Sequence, residues 1–314
     1  MDTARIWISV DSERLRAVTV GVVGVGASLD LCCDLARCGV EHFVLFDVDR
    51  VELLNLSSQG FVWADIGRTK VEAATRALRA INPNVVVTTS TADFTQMSDA
   101  EIDERFGGLD LLILATDRFA AQAKGNQVAL RLNIPAVWIG LYAGGVAGEV
   151  IFWHEEIDAC YRCLCAKRYE AQERAKAAGE TLDPDSAGTT ICDVRLVDAI
   201  AGQVAISQLT RGSDTRYGRL IDALGDRNFI QVKIDPSFQF GGRDVVRELL
   251  GVSAENDKFF AWNTVVRRDP DRGCLPCLDC EQFRGHRFVE TADGTKLRIR
   301  HPDLRDGNAP WKSC

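Results

Sequence analysis

Blocks of apolar and polar positions alternate along the first part of the chain. A valine-rich run from Ala17 to Val23 leads into Gly24-Val25-Gly26, and a helical pattern from Ser28 to Cys38 then ends at Gly39 before a second apolar run from His42 to Phe46. Near-continuous apolar strands are typical of a parallel sheet that is buried on both faces. The pattern therefore predicts a strand, a helix and a second strand, with the glycines at the first turn.

The alternation continues to position 141. The next predicted elements are a helix from Lys70 to Ile81, strands from Val85 to Thr89 and from Leu109 to Ala115, a helix from Ala120 to Leu132 and a strand from Ala136 to Leu141. Alternating strands and helices of this kind predict an α/β fold, with a doubly wound, Rossmann-like and mostly parallel sheet.

The composition changes after about Lys167. Residues 167–191 are charged and alanine-rich and contain Pro184 and Gly188, which is typical of a mobile crossover segment, although its first half is also compatible with an exposed helix. Beyond it, apolar residues at helical spacing predict a helix from Asp193 to Leu209, and short strands are expected around Phe229 to Ile234.

Composition and charge restrict the class of protein. With 314 residues, 46% of them hydrophobic and 26% charged, the chain is typical of a globular protein. The net charge of −8 argues against nucleic acid or an anionic membrane as the main partner. The N-terminal segment has neither a basic start nor an apolar signal region, and the longest apolar stretch is too short to span a bilayer. We therefore expect a cytoplasmic protein.

Eleven cysteines suggest metal ligation or reactive thiols rather than disulfides in that compartment. Cys160-x-x-Cys163 and Cys274-x-x-Cys277 each place two thiolates on a tight turn, and two such pairs complete a tetrahedral zinc shell with no open position. Cys280 is an alternative to Cys274, because Cys277-x-x-Cys280 has the same spacing. The sequence thus predicts a structural zinc site with four sulfur ligands.

The first turn has the features of a nucleotide site. Gly24 and Gly26 allow the backbone to approach phosphates, and the helix that follows offers unpaired amide donors. The third glycine of the dinucleotide fingerprint is missing, since position 29 is Leu29. Asp47 and Asp49 follow the second strand, and their spacing along the chain from the glycine turn is typical of an acidic residue that binds a ribose hydroxyl. Both NAD and ATP contain such a ribose, so this motif leaves the two open.

The next segment resembles the ThiF/MoeB/HesA adenylating enzymes, which are relatives of the ubiquitin-activating enzymes. That family has the pattern Asp-x-Asp, Asn-Leu-x-Arg-Gln, Asp-Ile-Gly-x-x-Lys and Asn-Pro. The matching residues here are Asp47, Asp49, Asn55, Leu56, Gln59, Asp65, Ile66, Gly67, Lys70, Asn82 and Pro83. Farther on, LLILATDRFAAQ resembles the strand that ends in a magnesium-binding aspartate, here Asp117, and DACYRCLCA resembles the zinc cysteine pair. The resemblance covers roughly residues 17–280.

The resemblance implies ATP-dependent adenylation of the C-terminal carboxylate of a ubiquitin-like or sulfur-carrier protein, with ATP, Mg²⁺ and Zn²⁺ as cofactors and a homodimer as the assembly. Lys70 would contact the phosphates, Asp117 would hold Mg²⁺, and Asn55 and Gln59 would orient phosphate or ribose oxygens. One alternative is an adenylating enzyme that modifies a ribosomal peptide. Another is a catalytically degenerate, zinc-stabilised binding protein. Nicotinamide-dependent oxidoreduction is disfavoured by Lys70 and by the Asn-Leu-x-x-Gln motif.

Two departures from the family pattern remove positive charge. Ser58 replaces the arginine of Asn-Leu-x-Arg-Gln, and Gln122 stands where the family commonly has another arginine, five residues after the magnesium aspartate. Loss of both cations from a phosphate site would weaken stabilisation of the transition state. The arginines considered as substitutes are Arg50, Arg68 and Arg118, and, across a dimer, Arg14 or Arg16.

Cys192 is a candidate acyl acceptor. It follows the crossover segment and precedes a helix whose N-terminal dipole favours a thiolate. Members of the family that form a thioester or persulfide carry a cysteine in this region. The alternative is a packing cysteine at the helix entrance.

These assignments divide the chain into four parts, which we expect to form one integrated domain. They are a nucleotide-binding half with the first cysteine pair (1–166), a mobile crossover segment (167–191), a C-terminal half with the second cysteine pair (192–284) and a polar tail (285–314).

Overall fold

The computed structural model describes residues 2–180, 182–183, 187–225, 227–235, 238–239, 262–266, 277–284, 286–290 and 296–300. The strands of this part of the chain are β1 (Thr19–Val23), β2 (His42–Phe46), β3 (Val86–Ser90), β4 (Leu111–Leu114), β5 (Ala136–Leu141), β6 (Ala147–Trp153), β7 (Phe229–Lys233), β8 (Trp262–Val266), β9 (His286–Glu290) and β10 (Lys296–Arg300). The helices are α1 (Ser12–Arg16), α2 (Leu29–Cys38), α3 (Lys70–Ile81), α4 (Asp99–Phe106), α5 (Phe119–Leu132), α6 (Tyr161–Leu164), α7 (Ala166–Ala178), α8 (Ile191–Thr210), α9 (Leu220–Leu224) and α10 (Leu278–Phe283). Short 3₁₀ helices lie at Leu53–Ser57, Trp63–Asp65, Phe94–Gln96, Ala143–Gly145 and Tyr217–Arg219.

Eight strands form one mixed sheet in the order β3-β2-β1-β4-β5-β6-β7-β8. Strands β1 to β5 pair in parallel, and β6, β7 and β8 join in antiparallel pairs. The direction of winding reverses between β1 and β4, and such a switch point opens a crevice at the carboxyl ends of the strands. The predicted doubly wound, mostly parallel α/β fold is confirmed.

Burial along the strands follows their place in the sheet. All four residues of β4 and four of the five residues of β1 are buried, whereas the edge strand β3 is exposed or half-buried throughout. Burial of each valine or leucine side chain contributes roughly 1.5–3 kcal/mol. The continuous apolar runs therefore belong to the centre of the sheet, and the run with threonines and a serine belongs to its edge.

Strand β6 was not predicted, although all seven of its residues are buried. Gly148 and Glu149 interrupt its apolar pattern. A Cβ at position 148 would lie 2.6 Å from Cγ2 of Val197, so the glycine allows α8 to pack closely against the sheet. Glu149 pairs with Gly140 of β5 and points to the opposite face.

The long helix α8 lies against α2, β5 and β6. The helix predicted from Asp193 is present and begins at Ile191, where Thr190 and Asp193 form a capping box. No helix in the described part of the chain is both long and apolar enough to cross a bilayer.

Helix α7 occupies the first half of the crossover segment, as the helical alternative for that region predicted. Tyr169 of this helix packs against Phe119 of α5, with ring centroids 4.9 Å apart. The second half of the segment contacts the body of the protein through the carbonyl of Ala187, which accepts a hydrogen bond of 2.7 Å from the Gly144 N–H. Within the polar tail, β9 and β10 form an antiparallel pair.

Candidate active site

A cavity of about 370 Å³ lies at the carboxyl ends of the parallel strands, beside the switch point of the sheet. Seven residues selected from the sequence line it, namely Gly24, Gly26, Asp47, Asp49, Gln59, Lys70 and Asp117. Asn55 and Cys192 are described but are not among the lining residues. Motifs from four separate segments of the chain therefore meet in one cavity.

Gly24 turns the chain from β1 towards α2. Its φ of +87° is in the left-handed region, and a Cβ at this position would lie 2.5 Å from the carbonyl oxygen of Ala115. Both constraints require glycine. The turn places Gly26 and Ala27 at the cavity wall, directly before α2, in an arrangement suited to phosphate oxygens.

Gln59 packs against the second glycine of the turn. A Cβ at Gly26 would lie 2.7 Å from Oε1 of Gln59. That oxygen is buried and has no hydrogen-bond partner in the described part of the chain. Because buried polar atoms are normally hydrogen-bonded, Oε1 of Gln59 is an acceptor available to a ligand.

Asp47 shapes the glycine turn. One carboxylate oxygen accepts a hydrogen bond of 2.8 Å from the Val25 N–H, and the other accepts one of 2.9 Å from the Asp49 N–H. Burial raises the pKa of Asp47, while the charge of Lys70 and these hydrogen bonds oppose that shift. Asp47 therefore fixes the backbone on both sides of the cavity mouth.

Lys70 is the first residue of α3 and is only 7% exposed. Its Nζ lies 2.9 Å from Oδ2 of Asp49, whose side chain is 59% exposed. Lys70 is thus a buried cation in the cavity wall rather than a solvated helix residue.

Asp117 follows β4 and lies exposed at the cavity. It does not cap α5, because the N-cap position of that helix belongs to Arg118. The carboxylate of Asp183, from the crossover segment, instead accepts a hydrogen bond of 3.3 Å from the Phe119 N–H at the start of α5. The crossover segment thus contacts the wall that carries Asp117.

Asn55 is buried but does not line the cavity. Its Oδ1 accepts a hydrogen bond of 2.8 Å from the Glu52 N–H, and its backbone carbonyl accepts one of 2.8 Å from the Gln59 N–H. Asn55 therefore fixes the 3₁₀ turn that carries Gln59.

Gln122, at the position of the missing arginine, is held by two partners. Its Nε2 donates a hydrogen bond of 2.7 Å to the Thr116 carbonyl, and its Oε1 accepts one from the Tyr161 hydroxyl. Of the arginines considered as substitutes, Arg118 lines the cavity and pairs with Asp93 at 3.3 Å. The other candidate arginines donate side-chain hydrogen bonds to backbone carbonyls or, in one case, to another surface residue. They are Arg14, Arg16, Arg50 and Arg68.

The sequence did not predict the role of Arg168 in the cavity wall. This residue of α7 forms a two-contact ion pair with Glu149, in which Nη2 lies 2.6 Å from Oε2, and the Tyr142 hydroxyl donates a hydrogen bond of 2.6 Å to the same oxygen. Burial disfavours the charged guanidinium, but the Glu149 carboxylate outweighs it and raises the pKa of Arg168. The three residues come from β6, α7 and the turn after β5, so no spacing in the sequence connects them.

Four cysteines form a second cluster, away from this cavity. The sulfurs of Cys160, Cys163, Cys277 and Cys280 lie within 4.8 Å of one another. Individual S···S distances are 3.7, 3.5, 3.8 and 3.4 Å. Tetrahedral coordination with Zn–S bonds of about 2.3 Å requires sulfurs about 3.8 Å apart, so the set fits zinc.

The cluster includes Cys280, the alternative ligand, whereas Cys274 lies outside the described residues. Buried Asp279, which adjoins Cys280, accepts hydrogen bonds of 2.8 Å from Asn126 and 2.9 Å from Arg162. These bonds fix α10 against α5 and α6.

Cys192 is exposed at the second residue of α8. Arg195, one turn farther along the helix, is ion-paired with Asp30 of α2 at 3.0 Å. This end of α8 also contacts the turn after β5, since a Cβ at Gly145 would lie 2.6 Å from Oδ2 of Asp193.

Comparison with known proteins finds sequence similarity to one family model and to curated relatives. The ThiF family model matches residues 3–215. The chain is 33% identical over 174 residues to ubiquitin-like modifier-activating enzyme 5 of Culex quinquefasciatus, and 32% identical over 176 residues to the protein of that name from Aedes aegypti. Each alignment covers 52% of this chain and 44% of the relative, so the chain spans less than half the length of these curated relatives.

Similar folds occur among solved structures. E. coli MccB superposes with a TM-score of 0.60 over 89% of this chain and 68% of MccB, at 17% sequence identity. PaaA superposes with a TM-score of 0.57 over 84% of each chain, at 18% identity. MccB has also been solved with ATP, and that structure has a TM-score of 0.58 to this chain at 17% identity. At these identities, the likeness concerns the fold.

Proposed function

Because the chain belongs to the ThiF family, we propose that it is an ATP-dependent adenylyltransferase, which joins a substrate carboxylate to AMP. The observation that carries this proposal is the cavity at the switch point, where the glycine turn, Lys70 and Asp117 meet. A carboxylate is a poor electrophile, and conversion to a mixed anhydride with AMP gives it a good leaving group.

The proposed reaction is a displacement at phosphorus. A carboxylate oxygen of the substrate attacks the α-phosphorus of ATP, the bond from that phosphorus to the bridging oxygen breaks, and pyrophosphate leaves with the electron pair. Lys70 binds the phosphates at the glycine turn, and Asp117 is the ligand for Mg²⁺. A bound Mg²⁺ would supply a Lewis acid that offsets phosphate charge. Asp49 offers an exposed carboxylate to the ribose, while Gln59 accepts a hydrogen bond from the nucleotide.

The proposed substrate is the C-terminal carboxylate of a ubiquitin-like or sulfur-carrier protein. The sequence relatives named ubiquitin-like modifier-activating enzyme 5 support this class, over the 52% of the chain that they match. The second candidate is a peptide substrate. It is supported by the similarity in fold to MccB, which has been solved in complex with N-formylated MccA.

Exchange of labelled pyrophosphate into ATP tests the proposal directly. We expect exchange that depends on a protein or peptide with a free C-terminal carboxylate. The matched control is the same molecule with a C-terminal amide, which lacks the attacking oxygen. Small proteins with a flexible C-terminal tail and short peptides form the two arms of the assay. Binding of carboxylate partners without any exchange would instead support the alternative of a catalytically degenerate binding protein. That alternative is favoured by the serine at position 58 and the glutamine at position 122, where the family has arginines.

We further propose that Cys192 accepts the acyl group from the adenylate. The thiolate attacks the carbonyl carbon, the bond to AMP breaks, and a thioester forms. Exposure of Cys192 at the N-terminal turn of α8 supports this role, because an acceptor thiol has to be accessible to the adenylate. Cys192→Ala should retain pyrophosphate exchange and lose any thiol-sensitive conjugate with the partner, whereas Cys165→Ala, which alters a buried thiol, should retain both. Equal conjugate formation by Cys192→Ala would contradict the proposal.

Three further proposals concern the bound metal, the assembly and the cellular compartment. We propose that the four-cysteine cluster holds structural zinc, that two copies of the chain form a homodimer, and that the protein works in the cytoplasm.

A further inference from the structure

The charged residues of the cavity are mostly acidic. Five carboxylates line it, from Asp47, Asp49, Asp93, Asp117 and Glu149. Three cations line it, from Lys70, Arg118 and Arg168. Each of these cations already faces a carboxylate, so a polyanionic nucleotide needs donors that remain available after this internal pairing.

Arg168 is the cation best organised to supply such donors. A guanidinium has five N–H donors, and the contacts with Glu149 and with the Tyr142 hydroxyl leave others for a ligand. Both members of the pair line the cavity, and the side chain of Arg168 is the more accessible, at 34% exposed against 5% for Glu149. Arg118, in contrast, makes a single contact with Asp93 and is 46% exposed.

Arg168 and Gln122 line the same cavity and share Tyr161 as a neighbour. The Tyr161 hydroxyl donates a hydrogen bond to Oε1 of Gln122 and interacts with the Arg168 side chain. An arginine at position 122 would therefore place its charge in the cavity that the guanidinium of Arg168 lines. Glu149 and Tyr142 hold that guanidinium in place.

We propose that Arg168 binds the phosphate oxygens of the nucleotide and supplies, from α7, the positive charge that position 122 lacks. This inference rests on the proposed function, because it takes ATP as the ligand of the cavity. Lys70 lies on the wall formed by α3 and Arg168 on the wall formed by α7, so the two cations approach the phosphates from different elements. The crossover segment is then part of the nucleotide site.

A purely structural ion pair is the competing explanation. Buried ion pairs add little to the stability of the fold, because the cost of desolvating the two charges offsets their attraction. A gain in stability is therefore a weak explanation for the presence of this pair. If Arg168 only neutralised Glu149, removing both charges together would leave ATP binding unchanged. If Arg168 binds phosphate, the same double change would weaken ATP binding.

The test measures the affinity of the full chain for Mg·ATP and for adenosine by calorimetry. Arg168→Gln and the charge-free pair Arg168→Gln/Glu149→Gln should each bind Mg·ATP about tenfold more weakly or worse, with adenosine binding unchanged. Arg174→Gln is the matched control, since Arg174 lies exposed on the same helix and outside the cavity lining. Gln122→Arg in the Arg168→Gln background should recover most of the lost affinity.

Each result has a definite reading. Wild-type affinity for Mg·ATP in Arg168→Gln/Glu149→Gln would overturn the inference while leaving the proposed function intact. Equal weakening of ATP and adenosine would identify a structural role and would also overturn it. A double variant with Gln122→Arg that melts normally but binds no better than Arg168→Gln would contradict the shared location. Absence of ATP binding by the wild type would overturn the proposed function itself.

Discussion

At the scale of single residues, the candidate site depends on side chains whose positions are set by burial. Lys70 is nearly inaccessible and ion-paired with Asp49, and Gln59 keeps a buried oxygen without a partner in the described part of the chain. Neither property follows from residue type, because lysine and glutamine are usually solvated. Their burial at the cavity is the reason for proposing them as ligand contacts.

Lys70→Ala and Asp117→Ala should abolish carboxylate-dependent pyrophosphate exchange, with losses of at least about a hundredfold. Both changes remove a group that we propose to contact phosphate or metal, and neither residue belongs to the apolar core. Circular dichroism and the melting temperature should match those of the wild type. Arg79→Ala, on the exposed side of α3, serves as the control and should exchange normally. Full activity of both site variants would contradict the assignment of this cavity.

Asp198 predicts how stability depends on pH. It lies buried on α8, and neither carboxylate oxygen has a hydrogen-bond partner of ordinary geometry in the described part of the chain. Burial raises the pKa of Asp198 well above its usual value, and nearby Asp30 and Asp34 add to the shift. Above the unfolded pKa, the native state therefore holds more protons than the unfolded state, and stability decreases as the pH rises.

Between pH 5 and 8, the wild type should lose up to about 1.4 kcal/mol per pH unit relative to Asp198→Asn, which has no proton to release. Urea unfolding of both proteins across this range measures the difference. Glu104→Gln, which changes an exposed carboxylate on α4, should follow the wild type. Parallel stability curves for wild type and Asp198→Asn would show that the Asp198 carboxyl ionises as in the unfolded chain.

At the scale of elements, α10 carries two of the four clustered sulfurs to the sheet. Cys277 is its N-cap and Cys280 lies in its first turn, while Cys160 is the N-cap of the short helix α6 and Cys163 lies within that helix. Between them, Asp279 bonds to both α5 and α6. A metal at this point would join elements that are 117 residues apart in the chain.

The purified protein should contain about one zinc per chain, bound by Cys160, Cys163, Cys277 and Cys280. Cys163→Ser and Cys280→Ser should lose the metal and lower the melting temperature, because metal binding and folding are coupled. Cys274→Ser should keep both and is the control that separates the two possible ligand sets. Elemental analysis and thermal melts check these outcomes. Zinc retained in Cys280→Ser and lost in Cys274→Ser would assign the fourth ligand to Cys274.

At the scale of the whole molecule, large apolar side chains are exposed on the segment between β2 and α3, at residues 53–66. The exposed fraction is 62% for Leu53, 67% for Leu54 and 74% for Trp63. Exposed apolar side chains that lie close together in the chain are typical of an interaction surface. The segment also carries Gln59, so a partner bound there would lie next to the cavity that Gln59 lines.

The protein should therefore be a homodimer at micromolar concentration, and Trp63→Glu should convert it to a monomer by placing a charge in the apolar interface. Light scattering coupled to size exclusion gives the mass of each species. Val86→Glu, at an exposed site on the edge strand β3, should leave the dimer intact. A monomeric wild type, or a dimer unaffected by Trp63→Glu, would exclude this surface as the interface.

The amino-acid sequence was sufficient to predict the class of fold and the position of the glycine turn after β1. Central strands are buried on both faces, so their apolar runs are visible without a structure, and Gly24 is required by a local backbone conformation. Lys70 and Asp117 were proposed as site residues because their segments resemble motifs of the ThiF family. Local patterns of this kind are set by residues close together in the chain.

Features that depend on contacts between distant segments became visible in the three-dimensional structure. These are the strand β6, which forms despite its glycine and glutamate, the position of Asn55 outside the cavity lining, and the presence of Cys280 in the cysteine cluster. The structure also showed that Arg168, from a segment whose composition predicted mobility, is paired with Glu149 in the cavity wall. The free energy of such a pair depends on burial and on the distance between charges, and no sequence spacing specifies either one.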